Sequence, residues 1–326
     1  MLRIVTSASA DRIGVGADND PERLSSIAAV RDVARFSARC RRVGIPVLVV
    51  LALVAGSCSE SSETSPTVEA IRSRGRIVVG IDFEPGLGLR NPTTQRFEGF
   101  DVAMAELMAA GIFEGTRESL GDKIEFVETL SKNRESAIDN GNVDIVVASY
   151  TITDERKQVV DFAGPYLMAR QDIMVAAGDD SIAGVADLNG KKVCTAAGTT
   201  SAANLAATAP QAELTLLDTM TECAEALGAG QVAAVSTDDV ILAGLVANGA
   251  GAFKLAKAPF SEEPYGIGLP KGDAAFRSFL NDRLQEIERS GEWADAFAAS
   301  LGAFGLATPT PPPIDRSSAP PSTARP

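Results

Sequence analysis

An α/β fold, with mostly parallel sheets covered on both faces, is what the sequence predicts from residue 76 onward. Short β-branched runs alternate there with helical patterns, strand then helix then strand. The composition, 45% hydrophobic and 22% charged over 326 residues, is that of globular protein with room for one large or two modest domains, each able to bury its own core. In order, strands are expected at 76–81, 123–127, 143–148, 172–176, 192–196, 213–217, 233–236 and 253–257. Helices are expected between them at 100–110, 134–140, 200–207, 222–227 and 239–248. Two long helical patterns, 274–290 and 292–301, close the fold. The tail, 308–326, is rich in Pro, Ser and Thr, cannot bury a core and is expected to be disordered.

The chain opens differently. Residues 43–54 are nearly all apolar, follow Arg39, Arg41 and Arg42, and end at Ala55-Gly56-Ser57-Cys58. This run is short for a membrane span and has the charged, apolar and small-residue regions of a signal peptide. Small residues before a cysteine resemble a bacterial lipobox, which makes Cys58 the expected lipidation site and first mature residue. Ala55 stands where a larger aliphatic is usual, and plain secretory cleavage is the alternative. Residues 1–57 are thus leader and signal peptide, and 58–74 a polar tether. The first forty residues exceed what a signal peptide needs, and a downstream start at Val30 or Val33 is one explanation for them.

Charge and residue inventory exclude several functions. The formal charge is −13; the first 57 residues carry eight Arg and five Asp or Glu, so the remainder holds 22 basic against 38 acidic residues, or −16. So acidic a surface does not suit nucleic acid or anionic lipid as the main partner. There is no histidine, which removes the commonest neutral-pH general base and metal ligand. No CxxC pair exists, which argues against a zinc ribbon or thioredoxin-like motif, and no metal or cofactor is expected. Cys194 follows a strand-like run and Cys223 opens a helix-like one, which suits a disulfide in an exported protein.

In open α/β sheets, ligands sit beyond the carboxyl ends of strands, where loops and helix N-termini supply donors. Three stretches have that placement: Ser149 to Arg156, with Thr153 placed to cap the turn carrying Arg156; Gly198-Thr199-Thr200-Ser201; and Ser236-Thr237-Asp238-Asp239. Singly, each has an ordinary explanation: a solvated arginine, a helix cap, an aspartate capping the next helix. Together they supply a guanidinium, an anion-receptive amide cluster and a carboxylate. A zwitterionic amino acid needs that set, its α-carboxylate pairing with the guanidinium and its α-ammonium with the aspartate.

The same residues resemble a family, the polar amino-acid-binding proteins of ABC importers known as solute-binding family three, over residues 75–301. The segments that carry the resemblance are Gly75-Arg76-Ile77-Val78-Val79-Gly80, Phe97-Glu98-Gly99-Phe100-Asp101-Val102-Ala103, Asp144, Thr151 to Arg156 with Val160-Asp161-Phe162 and Pro165-Tyr166, Asp187 to Val193, Gly198 to Ser201, and Glu263 to Ile267. Pro85-Gly86-Leu87-Gly88-Leu89, Ser236 to Asp239 and the paired cysteines look most like actinobacterial glutamate-binding lipoproteins. The resemblance implies a periplasmic-binding-protein-like (type II) fold: lobe 1 in 75–170, lobe 2 in 171–257, a return to lobe 1 in 258–307, and two hinge strands that let the lobes close. It implies an extracytoplasmic, lipid-anchored, monomeric binding protein with an amino-acid ligand and an ABC permease as partner, and no catalytic residue. Residue by residue, Arg156 matches the α-carboxylate arginine and Thr151 a donor beside it. Ser149 matches a carbonyl that accepts from the ammonium, a position often held by glycine. Thr199 and Thr200 match second-lobe carboxylate donors, and Asp238 the ammonium partner. The aromatic usual after the first strand is represented only by Phe83.

Two rivals are an amino-acid-sensing lipoprotein that signals to a membrane receptor, and a dehydratase on the same fold. Selectivity needs a further cation if the ligand has a side-chain carboxylate. Arg90, Arg96, Lys132 and Arg134 all lie on first-lobe loops; Arg90 is favoured because it follows Pro85 to Leu89. Glutamate, aspartate, glutamine and asparagine all remain open.

Overall fold

The computed structural model describes residues 65–317; the leader, the signal-like segment, Cys58 and residues 318–326 lie outside them. Helix α1 (Pro66–Arg74) starts on a Ser65 cap, carries Pro66 where the missing N–H costs nothing, and ends on Gly75 at φ 80°. Val68 and Ile71, three apart on one face, are buried. Residues 66–74 are therefore a helix docked on the first lobe rather than part of a tether.

Lobe 1 then runs through β1 (Ile77–Ile81), a small hairpin of β2 (Leu89–Arg90) and β3 (Phe97–Glu98), α2 (Phe100–Ile112), β4 (Ile124–Glu128), α3 (Arg134–Asp139), β5 (Ile145–Val146) and β6 (Asp161–Ala169). Lobe 2 contains β7 (Gln171–Ala176), β8 (Lys192–Ala196), α4 (Thr200–Thr208), β9 (Glu213–Leu217), α5 (Met220–Gly228), β10 (Ala234–Asp238), α6 (Asp239–Asn248) and β11 (Phe253–Leu255). The chain returns through β12 (Glu263–Leu269) to α7 (Ala274–Ser290) and α8 (Glu292–Ala299) on lobe 1. Each lobe has a five-stranded sheet, ordered β4-β1-β5-β12-β6 and β11-β7-β10-β8-β9.

Strands joined through helices are parallel: β1 with β4 and β5, and β8 with β9 and β10. β6, β7, β11 and β12 pair antiparallel, so the sheets are less uniformly parallel than the strand–helix alternation suggests. The reason is connectivity. β6 passes into β7 across Arg170 alone, and the return strand runs beside this crossing, with Glu263 opposite Ala169 and Phe260 N donating to Gln171 O at 3.0 Å. Direct passage between sheets needs no helical crossover, and antiparallel pairing follows. These two segments are the hinge.

The lobe 1 core is built on Phe100, Trp293 and Phe297, whose rings lie 5.5–5.6 Å apart by centroid. In lobe 2 a disulfide joins Cys194 of β8 to Cys223 of α5, 29 residues apart, with both side chains buried. Replacing both cysteines by serine is expected to lower stability by about 2–4 kcal/mol, read as an earlier thermal transition; an unchanged transition would contradict a structural role.

Residues 308–317 are not cast off as their composition suggests. Ile314 packs against the lobe 1 core, Asp315 N donates to Gly164 O at 2.8 Å, and Arg316 Nη1 meets Asp282 Oδ1 at 2.7 Å. β6 ends its sheet, so this strap occupies an edge that would otherwise present unpaired backbone groups.

Candidate ligand-binding site

Every strand that points at the cleft ends in a residue lining one narrow cavity between the lobes. Lobe 1 contributes Glu84 after β1, Ser131 and Arg134 after β4, and Ser149 and Thr151 after β5. Lobe 2 contributes Thr199 to Ser201 after β8, Met220 after β9, and Thr237 and Asp238 at the end of β10, with Ile241 on α6. This is the crevice beyond the carboxyl ends that open α/β sheets provide.

Asp238 stands at the start of α6 yet makes no capping bond, so its side chain is free to point inward. Oδ2 accepts from Tyr265 Oη at 2.5 Å, while buried Oδ1 has no hydrogen-bond donor among the described residues. Burial, and next the charge of Glu263, push its pKa up to about 7. Asp239 takes the capping work, accepting from Val240 N at 2.9 Å and Arg170 N at 3.2 Å. An unsatisfied buried carboxylate oxygen is costly unless a donor arrives.

Ser149 holds φ at 44°, a left-handed value uncommon for a residue with a Cβ, which explains why glycine suits the position. It is pinned there from three sides. Its N–H donates to Asp101 Oδ2 at 2.8 Å, its hydroxyl to Glu84 Oε2 at 3.0 Å, and its carbonyl faces Arg134 Nη1 at 3.4 Å. Asp101 also accepts from Tyr166 Oη at 2.8 Å, so the aspartate at the head of α2 shapes the site without lining it.

Arg156 opens a single 3-10 turn, Arg156–Gln158, whose first N–H donates to Thr153 Oγ1 at 3.1 Å. Its guanidinium bridges the lobes: Nη1 donates to Thr151 O at 2.7 Å and Nη2 to Gly198 O at 3.1 Å. It lies over the Tyr150 ring at 5.0 Å, with Glu135 3.5 Å from Nε. Burial, and the neighbouring Arg134, pull its pKa down to about 10, so it remains charged at neutral pH. It borders the cavity on the side of a wider opening lined by Thr153, Thr199, Thr200 and Asn204.

Thr199 caps α4, accepting from Ala202 N at 3.2 Å and donating to Ala196 O at 2.7 Å. Thr200 donates to Glu263 Oε2 at 2.7 Å and faces Thr151 Oγ1 across the cleft at 3.4 Å. The α4 N-terminus therefore meets the Arg156 turn where an anion would gain from both.

Five of the seven expected ligand residues, Ser149, Thr151, Thr199, Thr200 and Asp238, line this cavity, and Arg156 lines the opening beside it. Arg90 does not: it is exposed on the β2–β3 hairpin, its Nε donating to Gln95 O at 3.2 Å, and it lines no part of the cavity. Arg134 does line the cavity, only 2% exposed, its Nε on Ser131 O, its Nη1 on Ala148 O at 2.7 Å, and its guanidinium 4.4 Å from the Tyr150 ring centre. Phe83 packs against Phe97 with the rings tilted by 33° and 5.8 Å between centroids, and is not part of the cavity wall. Sequence reasoning did not single out Glu84; its signal was position, a carboxylate three residues past the end of β1. Among the described residues no group of three or more Cys, Asp or Glu side chains is arranged to hold a metal ion.

The lobes meet closely. The Lys132 ammonium pairs with the Asp218 carboxylate across the cleft. A Cβ on Gly198 would fall 2.7 Å from Lys132 Cα, and one on Gly244 of α6 would fall 2.4 Å from Pro85 O. Gly244 has ordinary helical geometry, so alanine there is favourable for α6 but obstructs approach. Gly244→Ala is expected to weaken ligand binding roughly five- to 150-fold, from an overpacking cost of about 1–3 kcal/mol. Unchanged affinity by calorimetry would show that the contact does not limit closure.

The chain belongs to the bacterial extracellular solute-binding proteins, family 3, whose family model matches residues 77–302. It is 36% identical over 248 residues to the ABC transporter glutamine-binding protein GlnH of Bacillus subtilis, covering 74% of this chain and 88% of that protein. It is 35% identical over 253 residues to the glutamate-binding protein GluB of Corynebacterium glutamicum, covering 76% and 85%. Among solved structures, an ancestral arginine-binding protein bound to glutamine matches with a TM-score of 0.64 at 33% identity, covering 70% of this chain and 99% of that one. The two-lobed, periplasmic-binding-protein-like fold is that of these structures.

Proposed function

We propose that this protein is an amino-acid receptor of an ABC importer that captures glutamate or a close polar relative, aspartate, glutamine or asparagine, by closing its lobes. The observation that carries this is a buried, half-satisfied Asp238 lining one cavity with the Arg134 guanidinium, beside an opening lined by Arg156, at converging strand ends. Asp238 accepts from the α-ammonium, joined by the Ser149 carbonyl. Arg156, Thr151 and the Thr199–Thr200 end of α4 hold the α-carboxylate. Arg134 then faces the ligand side chain. Binding proteins of ABC transporters for glutamine and glutamate among its relatives support a transport role and a non-enzymatic one.

The segment before Cys58 supports export, lipidation at Cys58 and tethering to the outer face of the membrane, beside its permease. No helix among the described residues is long and apolar enough to cross a membrane. Thermal unfolding with and without each of the four amino acids tests the reading: saturating ligand at about a hundredfold excess over Kd adds about 2.7 kcal/mol of stability. An unshifted transition with all four, together with turnover in a dehydration assay, would favour an enzyme instead.

A further inference from the structure

We propose that Asp315, on the strap that follows the family-matched segment, is a positioning residue for Arg156. It staples the turn that carries the guanidinium to the edge of the first hinge strand, and so holds the α-carboxylate donor in place before ligand arrives. This rests on the amino-acid reading above and adds a residue that acts on the site from outside it.

The segment from Arg156 to Gly164 is where the two meet. Val160 N closes the turn on Arg156 O at 3.0 Å, and β6 begins at Asp161 and runs on to lobe 2 across Arg170. A shift of this segment displaces both the guanidinium and the hinge strand. β12 pairs with one side of β6, and β6 is the last strand of its sheet, so its other side depends on groups from elsewhere. Asp315 meets the segment at both ends. Its N–H donates to Gly164 O at 2.8 Å, and its Oδ2 lies 3.6 Å from the Nζ of Lys157, the residue next to Arg156. Gly164 N donates to buried Asn281 Oδ1 at 2.8 Å, so both backbone groups of Gly164 are bound outside the sheet. Lys157 O accepts from Lys271, whose Nζ also lies 2.9 Å from Asp161 Oδ1.

The strap is itself held firmly enough to act as a fixed point. Pro312 is buried, Ile314 packs on the lobe 1 core, and Arg316 reaches Asp282, Asn281 O and Gln285 on α7. Pro309, Pro311, Pro312 and Pro313 restrict the chain before it docks, so less conformational freedom is lost when it seats. Ser317 donates to Asp315 Oδ1 from its N at 2.9 Å and its Oγ at 2.6 Å, which leaves Oδ2 for Lys157. Of the two contacts Asp315 makes with the segment, the backbone bond is the stronger. The ion pair, with side chains 27% and 44% exposed, is screened by water and contributes little by itself. A guanidinium already placed loses less freedom on binding, so loosening its turn lowers affinity without removing any ligand contact.

Asp315→Pro removes the N–H and the carboxylate in one step, whereas Asp315→Asn keeps the N–H and the side-chain shape. Calorimetric titration of the mature protein with glutamate, glutamine, aspartate and asparagine is expected to show Asp315→Pro binding about three- to thirtyfold more weakly than the parent, and Asp315→Asn recovering most of that loss. Hydrogen exchange in the free protein should quicken at the amides of Lys157, Val159 and Val160 in Asp315→Pro and stay unchanged around the Cys194–Cys223 disulfide. In an Arg156→Ala background Asp315→Pro should add no further loss, because it acts through that guanidinium. Where that background binds too weakly to titrate, exchange decides. If Asp315→Pro does not fold, Ile314→Ser loosens the strap without constraining the backbone and takes the same measurements. Unchanged affinity, equal losses with and without Arg156, protection at residues 157–160 untouched, or exchange quickened evenly through lobe 1 overturns the proposal and leaves the amino-acid clamp standing. A parent that binds none of the four removes the clamp and the proposal with it.

Discussion

Replacing Asp238 by alanine is expected to weaken amino-acid binding by roughly thirty-fold to a few thousand-fold, the consequence of about 2–5 kcal/mol lost when a buried charge pair loses one partner. The carboxylate is 4% exposed and one of its oxygens has no donor among the described residues, so an incoming ammonium meets a buried group with an unused acceptor. Asp238→Asn keeps the shape and the Tyr265 contact but not the charge, and should be nearly as damaging. The pH dependence has a definite sign. Burial raises the pKa in the free site to about 7, and an ammonium favours the ionised form, so binding expels a proton at lower pH. Affinity should therefore be level above about pH 7 and fall by up to about tenfold per unit below it. Asp238→Asn should lack this fall. In the free protein the same raised pKa works the other way: the folded state holds a proton that the unfolded chain releases above the ordinary value of 3.8, so this group's contribution to stability declines as pH rises from about 4 to 7.

Arg156→Ala should weaken binding over the same range, roughly thirty-fold to a few thousand-fold, for a second reason added to the first. Its guanidinium pairs with the captured carboxylate, and it also joins Thr151 of lobe 1 to Gly198 of lobe 2, so its removal costs contact energy in the closed form itself. Lysine should restore only part of the loss. An ammonium offers a point charge where the planar fork reaches two oxygens, and it cannot lie flat on Tyr150. Titration of both variants, with unfolding curves to show that each remains folded, separates loss of a ligand contact from loss of the fold.

Much of this site was legible because its chemistry sits at strand ends, where local sequence decides both the strand and the turn. The β-branched run before Ser149 and the Thr153-to-Arg156 spacing predict the strand and capped turn that the structure shows. Asp238 was legible as a carboxylate in the right place, but whether it caps α6 or faces the ligand depended on Asp239 taking the backbone N–H groups instead. Arg90 and Arg134 could not be ranked from sequence. Arg90 ends β2 and Arg134 opens α3, and only packing on Tyr150 buries one while the hairpin carries the other into solvent. The hinge strands β6 and β12 were missed as strands because Pro165, Pro264 and several glycines interrupt their pattern, and their pairing joins residues about a hundred apart. Helix α1 was hidden for a simpler reason: only Val68 and Ile71 of its nine residues are buried.

Isothermal titration of the mature protein with glutamine, glutamate, aspartate and asparagine, run at several temperatures, tests the central claim most directly. Capture between closing lobes predicts one site per chain, saturable by at least one of the four, with a negative heat-capacity change as the cleft walls leave water. It also predicts that Arg156→Ala and Asp238→Ala each lose most of that affinity while remaining folded. Parent protein that gives no binding heat with any of the four at any temperature, or variants that bind within about a factor of three of the parent, would contradict the account.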